Sequence, residues 1–407
     1  MTIIFEKLIQ FKFDMIAAVA MGLIALYLGA YIKRKTTFFD KYGIPAAVIG
    51  GLIVSTLHLV LRESGLGALD FNTTLQTPFM VLFFTTIGLA SSVEALKRGG
   101  KLLVFFWLAS GFMTLMQTVI GVSLAEVTGI NPLIGVIAGS VTMSGGHGSG
   151  AAFGKTIEGL GVSGALSAAM ASATFGLIAG SLIGAPLAFY LIRKYNLKPQ
   201  NILNKDEVGV KANTEHRKLT PASMLAHATM LAVVMALGMT LSGLLEKKFN
   251  IALPAYCGAM LVAIVFNNLN LKYKWLDMDR NLIDVLGETA LSIFLSMALI
   301  SVKLWELYAL ALPLLIILAS QVLFMLLYTR FVVFKLMGSD YDAAVIIAGM
   351  CGSGIGATPN AMLNMGEVSN KYGYTMNPFL VVPLTGAFLI DIFQLPVIIT
   401  AINIFSK

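Results

Sequence analysis

Two short stretches concentrate the residue types that could hold an ion inside a membrane. The first reads Ser140-Val-Thr-Met-Ser-Gly-Gly-His-Gly-Ser-Gly150, the second Cys351-Gly-Ser-Gly-Ile-Gly-Ala-Thr-Pro-Asn360. Each sits in an uncharged run, Asn131–Gly154 or Ala343–Gly366, long enough to enter a bilayer but too rich in glycine for a lipid-facing helix. Glycine lets the backbone turn tightly and come close to a ligand. A helix broken at such a point exposes carbonyls where its first arm ends, which suit Na⁺. It exposes N–H groups and a positive dipole end where its second arm begins, which suit a carboxylate. Thr358 followed by Pro359 reads as an N-cap and first helical residue.

Ionisable residues narrow the site. Asp391 is the single charge between Tyr372 and Ser406. A carboxylate at that depth is costly and points to function, as a Na⁺ ligand or the partner of a substrate ammonium; the alternative is a protonated core Asp. His147 could donate to a substrate carboxylate or simply hold its tip in shape. Substrate candidates are therefore Ser144, Gly145, Gly146, His147, Gly148 and Ser149 on the first tip, Gly354, Gly356, Thr358 and Asn360 on the second, and Asp391. Cation candidates are Ser140, Thr142, Ser144, Cys351, Ser353 and Asp391, with Thr174 opposite the first tip. Gly135, Gly139, Gly176, Gly180 and Gly184, spaced by four, read instead as helix-packing positions. His58 and His227 read as packing residues, Glu288 and Lys303 as interfacial. No Arg lies between Arg98 and Arg193 or after Arg330, so an anion would rest on N–H groups, hydroxyls, amides or His, with co-bound cations offsetting its charge.

The elements that must carry these residues are membrane helices. Of 407 residues 57% are hydrophobic and 12% charged, against about 25% charged in a soluble domain. A mean hydropathy of +0.84 excludes a cytosolic enzyme, a secreted domain and a disordered chain. Cys257 and Cys351 sit in apolar runs and suggest neither a disulfide nor a transition-metal site. The net charge of +7 is clustered between apolar runs, with no basic face for nucleic acid.

Ten apolar runs read as spans: Met15–Ile32, Ile44–Leu61, Gln76–Val93, Leu102–Ala125, Ser163–Ile192, Pro221–Leu245, Leu253–Leu269, Leu282–Val302, Leu307–Thr329 and Pro378–Ile402. With both glycine-rich stretches re-entrant and the N-terminus outside, the inner loops hold 20 of the 28 Lys and Arg and the outer segments 8. Letting both stretches cross gives a poor 16 against 12, so the re-entrant arrangement is expected.

Punctuation recurs at an offset of 209–210: Phe84 with Phe294, Gly139 with Gly349, Gly146 with Gly356, Gly176 with Gly386 and Pro186 with Pro396. The expected fold is thus an all-α polytopic membrane protein of two repeats, 1–198 with hairpin 131–154 and 221–407 with hairpin 343–366, joined by a cytoplasmic linker at 199–220. Five crossings per repeat invert one half against the other and bring both tips to the midplane, the architecture of secondary transporters. An ion channel could use opposed hairpins too. A serine hydrolase built on Ser149 or Ser353 with His147 would lack an orienting acid.

The segments Gly139–Ala152, Ala173–Leu177, Lys303–Leu307, Tyr341–Val345, Gly356–Pro359 and Leu380–Pro383, with Ile390 and Asp391, resemble the bacterial sodium:glutamate symporters over nearly the whole chain. The resemblance implies Na⁺-coupled uptake of L-glutamate with no enzymatic cofactor. It also implies a homodimer and an elevator-like movement of a hairpin-bearing body against a scaffold; the Lys and Arg count above sets both termini on the periplasmic side of a bacterial inner membrane. The fold is similar as well to carriers of 2-hydroxycarboxylates, which leaves a dicarboxylate as the alternative cargo. Glu288 departs from the family pattern and, if it faced the site, would bear on the coupling ions.

Overall fold

A computed structural model of the chain describes residues 10–42, 44–90, 100–200, 220–249, 254–308 and 310–406. Each of the ten apolar runs contains a helix. Seven helices among the described residues are long and apolar enough to cross a bilayer, and Gln76–Ala90, Pro132–Val141 and Asp391–Phe405 are shorter apolar helices. The chain is a multi-pass helical membrane protein. Residues 201–219 of the expected linker lie outside the described residues.

Local chemistry sets the helix ends. Asp14 caps Met15–Lys35 by accepting from the Ile16 and Ala17 N–H groups, and Lys33, Arg34 and Lys35 face the negative end of the dipole. Pro45 and Pro254 precede Ala46–Glu63 and Ala255–Tyr273 with nearly the same extended backbone, φ −62°, ψ 144° and φ −53°, ψ 144°. The all-α expectation needs one correction. Gln10–Phe13 and Ala68–Phe71 form a two-stranded parallel pair, with Phe13 stacked on Phe71 at 4.8 Å. Four-residue strands outside the apolar runs leave too short an alternation to read.

The helices sort into two groups by what they touch. Met15–Lys35, Ala46–Glu63 and Gln76–Ala90 pack with Pro221–Phe249, Ala255–Tyr273 and Arg280–Ile300. Gly100–Val127, Ala165–Tyr195, Ala311–Tyr328 and Asp391–Phe405 pack with the two broken helices. We call these the wall group and the hairpin group.

The first broken helix starts at Pro132, where Asn131 Oδ1 accepts from Leu133 N–H at 2.9 Å. A π-turn at Ile137–Val141 follows, with Gly139 off the helical path at φ −91°, ψ −129°. The helix opens again at 144–145 and a second arm follows as Gly146–Gly159. Gly146 has φ +58°, and a Cβ there would lie 3.2 Å from the Gly356 carbonyl, so the left-handed backbone and the approach of the other tip both require glycine.

The second broken helix runs Tyr341–Gly354, opens at 355–357 and resumes as Thr358–Tyr372. Both are longer than 131–154 and 343–366, because their outer arms continue into polar sequence that keeps helical caps. A further correction concerns Thr358. Ala357, extended at φ −158°, ψ 162°, is the N-cap, and Thr358 is the first helical residue with its hydroxyl free of capping.

The packing glycines lie where helix backbones meet. Gly121 and Gly135 face each other's carbonyls, Gly139 abuts the Gln117 carbonyl, and Gly176 and Gly180 sit on the carbonyls of Ile355 and Cys351. Gly184 lies against Asn364. The second tip is thereby pressed onto Ala165–Tyr195.

Candidate functional site

Between the two groups lies a cavity of about 400 Å³, within the about 300–1,000 Å³ usual for small-molecule sites. The hairpin group brings Ser144, Gly145, Gly146, His147, Gly148 and Ser149 from the first tip to its lining. From the second tip come Gly356, Ala357, Thr358 and Pro359, and from the start of the last helix and the turn before it Gly386, Ile390 and Asp391. Segments more than 200 residues apart thus meet at one place.

Two helices, Gly146–Gly159 and Thr358–Tyr372, begin at this cavity. The first-turn N–H groups of Gly146–Gly159 have no carbonyl within that helix, whereas in Thr358–Tyr372 Pro359 has no N–H and Asn360 N–H donates to the Ala357 carbonyl at 2.9 Å, which leaves Thr358 N–H; each start carries roughly half a positive charge. Asp391 is the one carboxylate in the lining, and no Lys or Arg lines it among the described residues. A π-turn over Thr385–Leu389, closed by Ile390 N–H donating to the Thr385 carbonyl at 3.0 Å, precedes Asp391. The extra residue in that turn resets the face on which the following helix begins.

His147 is buried at the lining, its Nε2 3.0 Å from Thr174 Oγ1. The Thr174 hydroxyl already donates to the Met170 carbonyl at 2.8 Å. Nε2 is therefore the donor to Thr174, which leaves Nδ1 as an acceptor in the neutral ring.

Several residues expected at the site are turned to structural partners in this arrangement. Asn360 Nδ2 donates to the Leu177 carbonyl at 2.9 Å, and the Gly354 carbonyl accepts from Gln117 Nε2 at 2.6 Å. Ser140 Oγ pairs with Thr118 Oγ1, Thr142 Oγ1 donates to the Ile137 carbonyl, and Ser353 Oγ donates to the Gly349 carbonyl. Cys351 is buried 3.6 Å from Thr329 Oγ1. None of these, nor Thr174, lines the cavity.

Glu288 is exposed and away from it. His58 accepts from Leu69 N–H in the strand Ala68–Phe71 and stands edge-on to Trp305, and His227 accepts from Asp279 N–H at the cap of Arg280–Ile300, so each pins a neighbouring segment. Lys303 is exposed and pairs with Glu306 at 3.6 Å.

Sequence reasoning missed the opposite wall. Leu26, Pro45, Phe83, Ile87, Leu291 and Ser292 of the wall group line it, and all but Ser292 are apolar. Apolar residues in apolar spans carry no signal that sets them apart. Also missed were three buried amides, Gln117, Gln321 and Gln394. Their presence in apolar runs was a usable signal.

A family model described as sodium/glutamate symporter matches residues 11–374. The chain is 39% identical over 386 residues to the sodium/glutamate symporter of Escherichia coli (strain K12), covering 94% of this chain and 96% of that one. It is 37% identical over 391 residues to the sodium/glutamate symporter of Haemophilus influenzae, with the same coverage. Among solved structures, a sodium proton antiporter from Methanocaldococcus jannaschii aligns with a TM-score of 0.44 and 15% identity over 96% of this chain and 98% of that one.

Long relatives of this kind, on a multi-pass helical frame, make the protein a membrane carrier and not an enzyme. The chain belongs to the sodium/glutamate symporter family.

Proposed function

We propose that the protein carries L-glutamate together with Na⁺ across the bacterial inner membrane, by moving the hairpin group against the wall group. The observation that carries the reading is the single cavity where both glycine tips and Asp391 converge. Its chemistry suits an amino acid that is anionic overall. Two positive helix starts face the cavity, the first offering N–H groups to a carboxylate and the second Thr358 N–H, with Ser149 and Thr358 hydroxyls beside them and Ser144 lining it while its hydroxyl donates to Gln117 Oε1. Asp391, and His147 through Nδ1, offer acceptors to the ammonium or to Na⁺. Na⁺ offsets the charge that a site with no Lys or Arg among its described lining residues leaves uncompensated. Ser140, Thr142, Cys351, Ser353 and Thr174 remain candidates for the cation, requiring their hydroxyls or thiol to leave present partners.

The halves 1–198 and 221–407 are read as inverted repeats, each of five spans and one re-entrant hairpin. In favour of that reading are the matching element order and the twin cap geometry at Pro45 and Pro254. The Lys and Arg distribution favours periplasmic termini and a cytoplasmic linker at 199–220. A homodimer would be held through the wall group, leaving the hairpin group free to move.

The test is uptake of radiolabelled L-glutamate into proteoliposomes with and without an inward Na⁺ gradient, for wild type and Asp391→Asn. Saturable accumulation that needs the gradient and collapses in the variant is expected. Wild-type failure with glutamate but accumulation of a dicarboxylate would overturn the cargo assignment, and survival of uptake in Asp391→Asn would remove Asp391 from the mechanism.

A further inference from the structure

The fully buried Gln117 lies on Gly100–Val127, a helix that contributes nothing to the cavity lining. Its side chain nevertheless joins both tips. Oε1 accepts from Ser144 Oγ of the first tip at 2.6 Å, and Nε2 donates to the Gly354 carbonyl of the second at 2.6 Å. Its main-chain carbonyl accepts from Gln321 Nε2 at 2.8 Å, which fixes that turn of the helix. Gly139 of the first broken helix lies against the same carbonyl. Ser144 lines the cavity and Gly354 stands two residues before Gly356, which also lines it. One amide, with one end on each tip, therefore sets the spacing of the two.

We propose that Gln117 is a positioning residue for ligand binding: it holds the two tips in the register at which their backbone groups act on one ligand. The inference rests on the carrier reading above. An amide suits the post because it supplies one donor and one acceptor on a rigid plane. A carboxylate would lose the donor, and an apolar chain of equal length would lose both and leave the Gly354 carbonyl buried without its partner. Gln117 does not touch the ligand, so its loss acts through the tips. It should change affinity for both glutamate and Na⁺ more than the rate of turnover.

The experiment is Na⁺-driven glutamate uptake in proteoliposomes for wild type, Gln117→Met, Gln117→Glu, Ser144→Ala and the double variant Gln117→Met/Ser144→Ala, each first checked for monodisperse elution. Gln117→Met, close in length, should raise the half-saturating glutamate concentration about tenfold and raise that for Na⁺ in the same direction, with maximal rate within about twofold. Ser144→Ala should cost less in the Gln117→Met background than in wild type, because the two share one bond. Gln117→Glu, which keeps the acceptor but not the donor, should also lose affinity and tests the Gly354 bond separately if Gln117→Met does not fold. Unchanged half-saturation in the folded Gln117 variants, a loss confined to maximal rate, or strict additivity with Ser144→Ala would overturn the proposal. Wild-type failure to accumulate glutamate would strike the carrier reading instead, which separates the two.

Discussion

Lys155 ties the two helix groups together, and removing it should shift how they sit. It lies on the second arm of the first broken helix, half-buried, with its ammonium within bonding distance of three wall-group oxygens. These are the Thr73 carbonyl at 3.2 Å, Thr73 Oγ1 at 3.1 Å and Gln76 Oε1 at 3.2 Å. A hydrogen bond to a charged group contributes about 1.5–3 kcal/mol, but these three share one charge that must be desolvated, so about 2 kcal/mol is a fair value for the set. Every 1.4 kcal/mol is about tenfold, so Lys155→Met should reduce the weight of this arrangement about 30-fold against any competing one. Leu66, in the segment that leads to Thr73, and Leu160, just past the end of the helix that carries Lys155, are exposed and can carry spin labels on introduced cysteines. Both native cysteines are buried, so background labelling is low. Pulsed electron paramagnetic resonance in nanodiscs would give the distance distribution between the two groups. A clear loss of the short-distance population in Lys155→Met is expected; a distribution superimposable on that of the parent would refute the claim that this contact holds the groups together.

Two other substitutions probe separate parts of the frame. Gly146→Ala places a side chain at φ +58° and 3.2 Å from the Gly356 carbonyl, so about 1–2 kcal/mol of strain falls on the tips; uptake kinetics should show weaker glutamate affinity, with little change in thermal midpoint. Asp14→Ala removes two capping bonds worth about 1 kcal/mol in all; the midpoint of thermal unfolding should fall while half-saturation for glutamate stays put.

The tips and Asp391 were legible because their signals are local. Clustered glycine breaks a helix wherever it falls, and a lone charge in an apolar span stands out without a partner in view. The five packing glycines were legible from spacing alone. What stayed hidden depends on distant partners. Gln117 meets Gly354 across 237 positions and Gln394 meets Ser140 across 254, and nothing near either glutamine marks the pairing. The turn of Asn360 toward Leu177 is of the same kind, since an amide at a tip can face the ligand or the neighbouring helix with equal local sense. The cap at Ala357 instead of Thr358 is a one-residue shift set by an extended backbone, a distinction that residue type does not encode.

The unequal composition of the cavity bears on leakage. Its carboxylate and both helix starts belong to the hairpin group, whereas the facing surface is apolar but for Ser292. In a sliding carrier, that surface acts as a solvent of low polarity past which the loaded tips must travel. An uncompensated charge on Asp391 pays a desolvation penalty during the passage that a neutralised complement does not. The greasy face would then serve as the checkpoint for stoichiometry, refusing a half-filled site by charge rather than by shape.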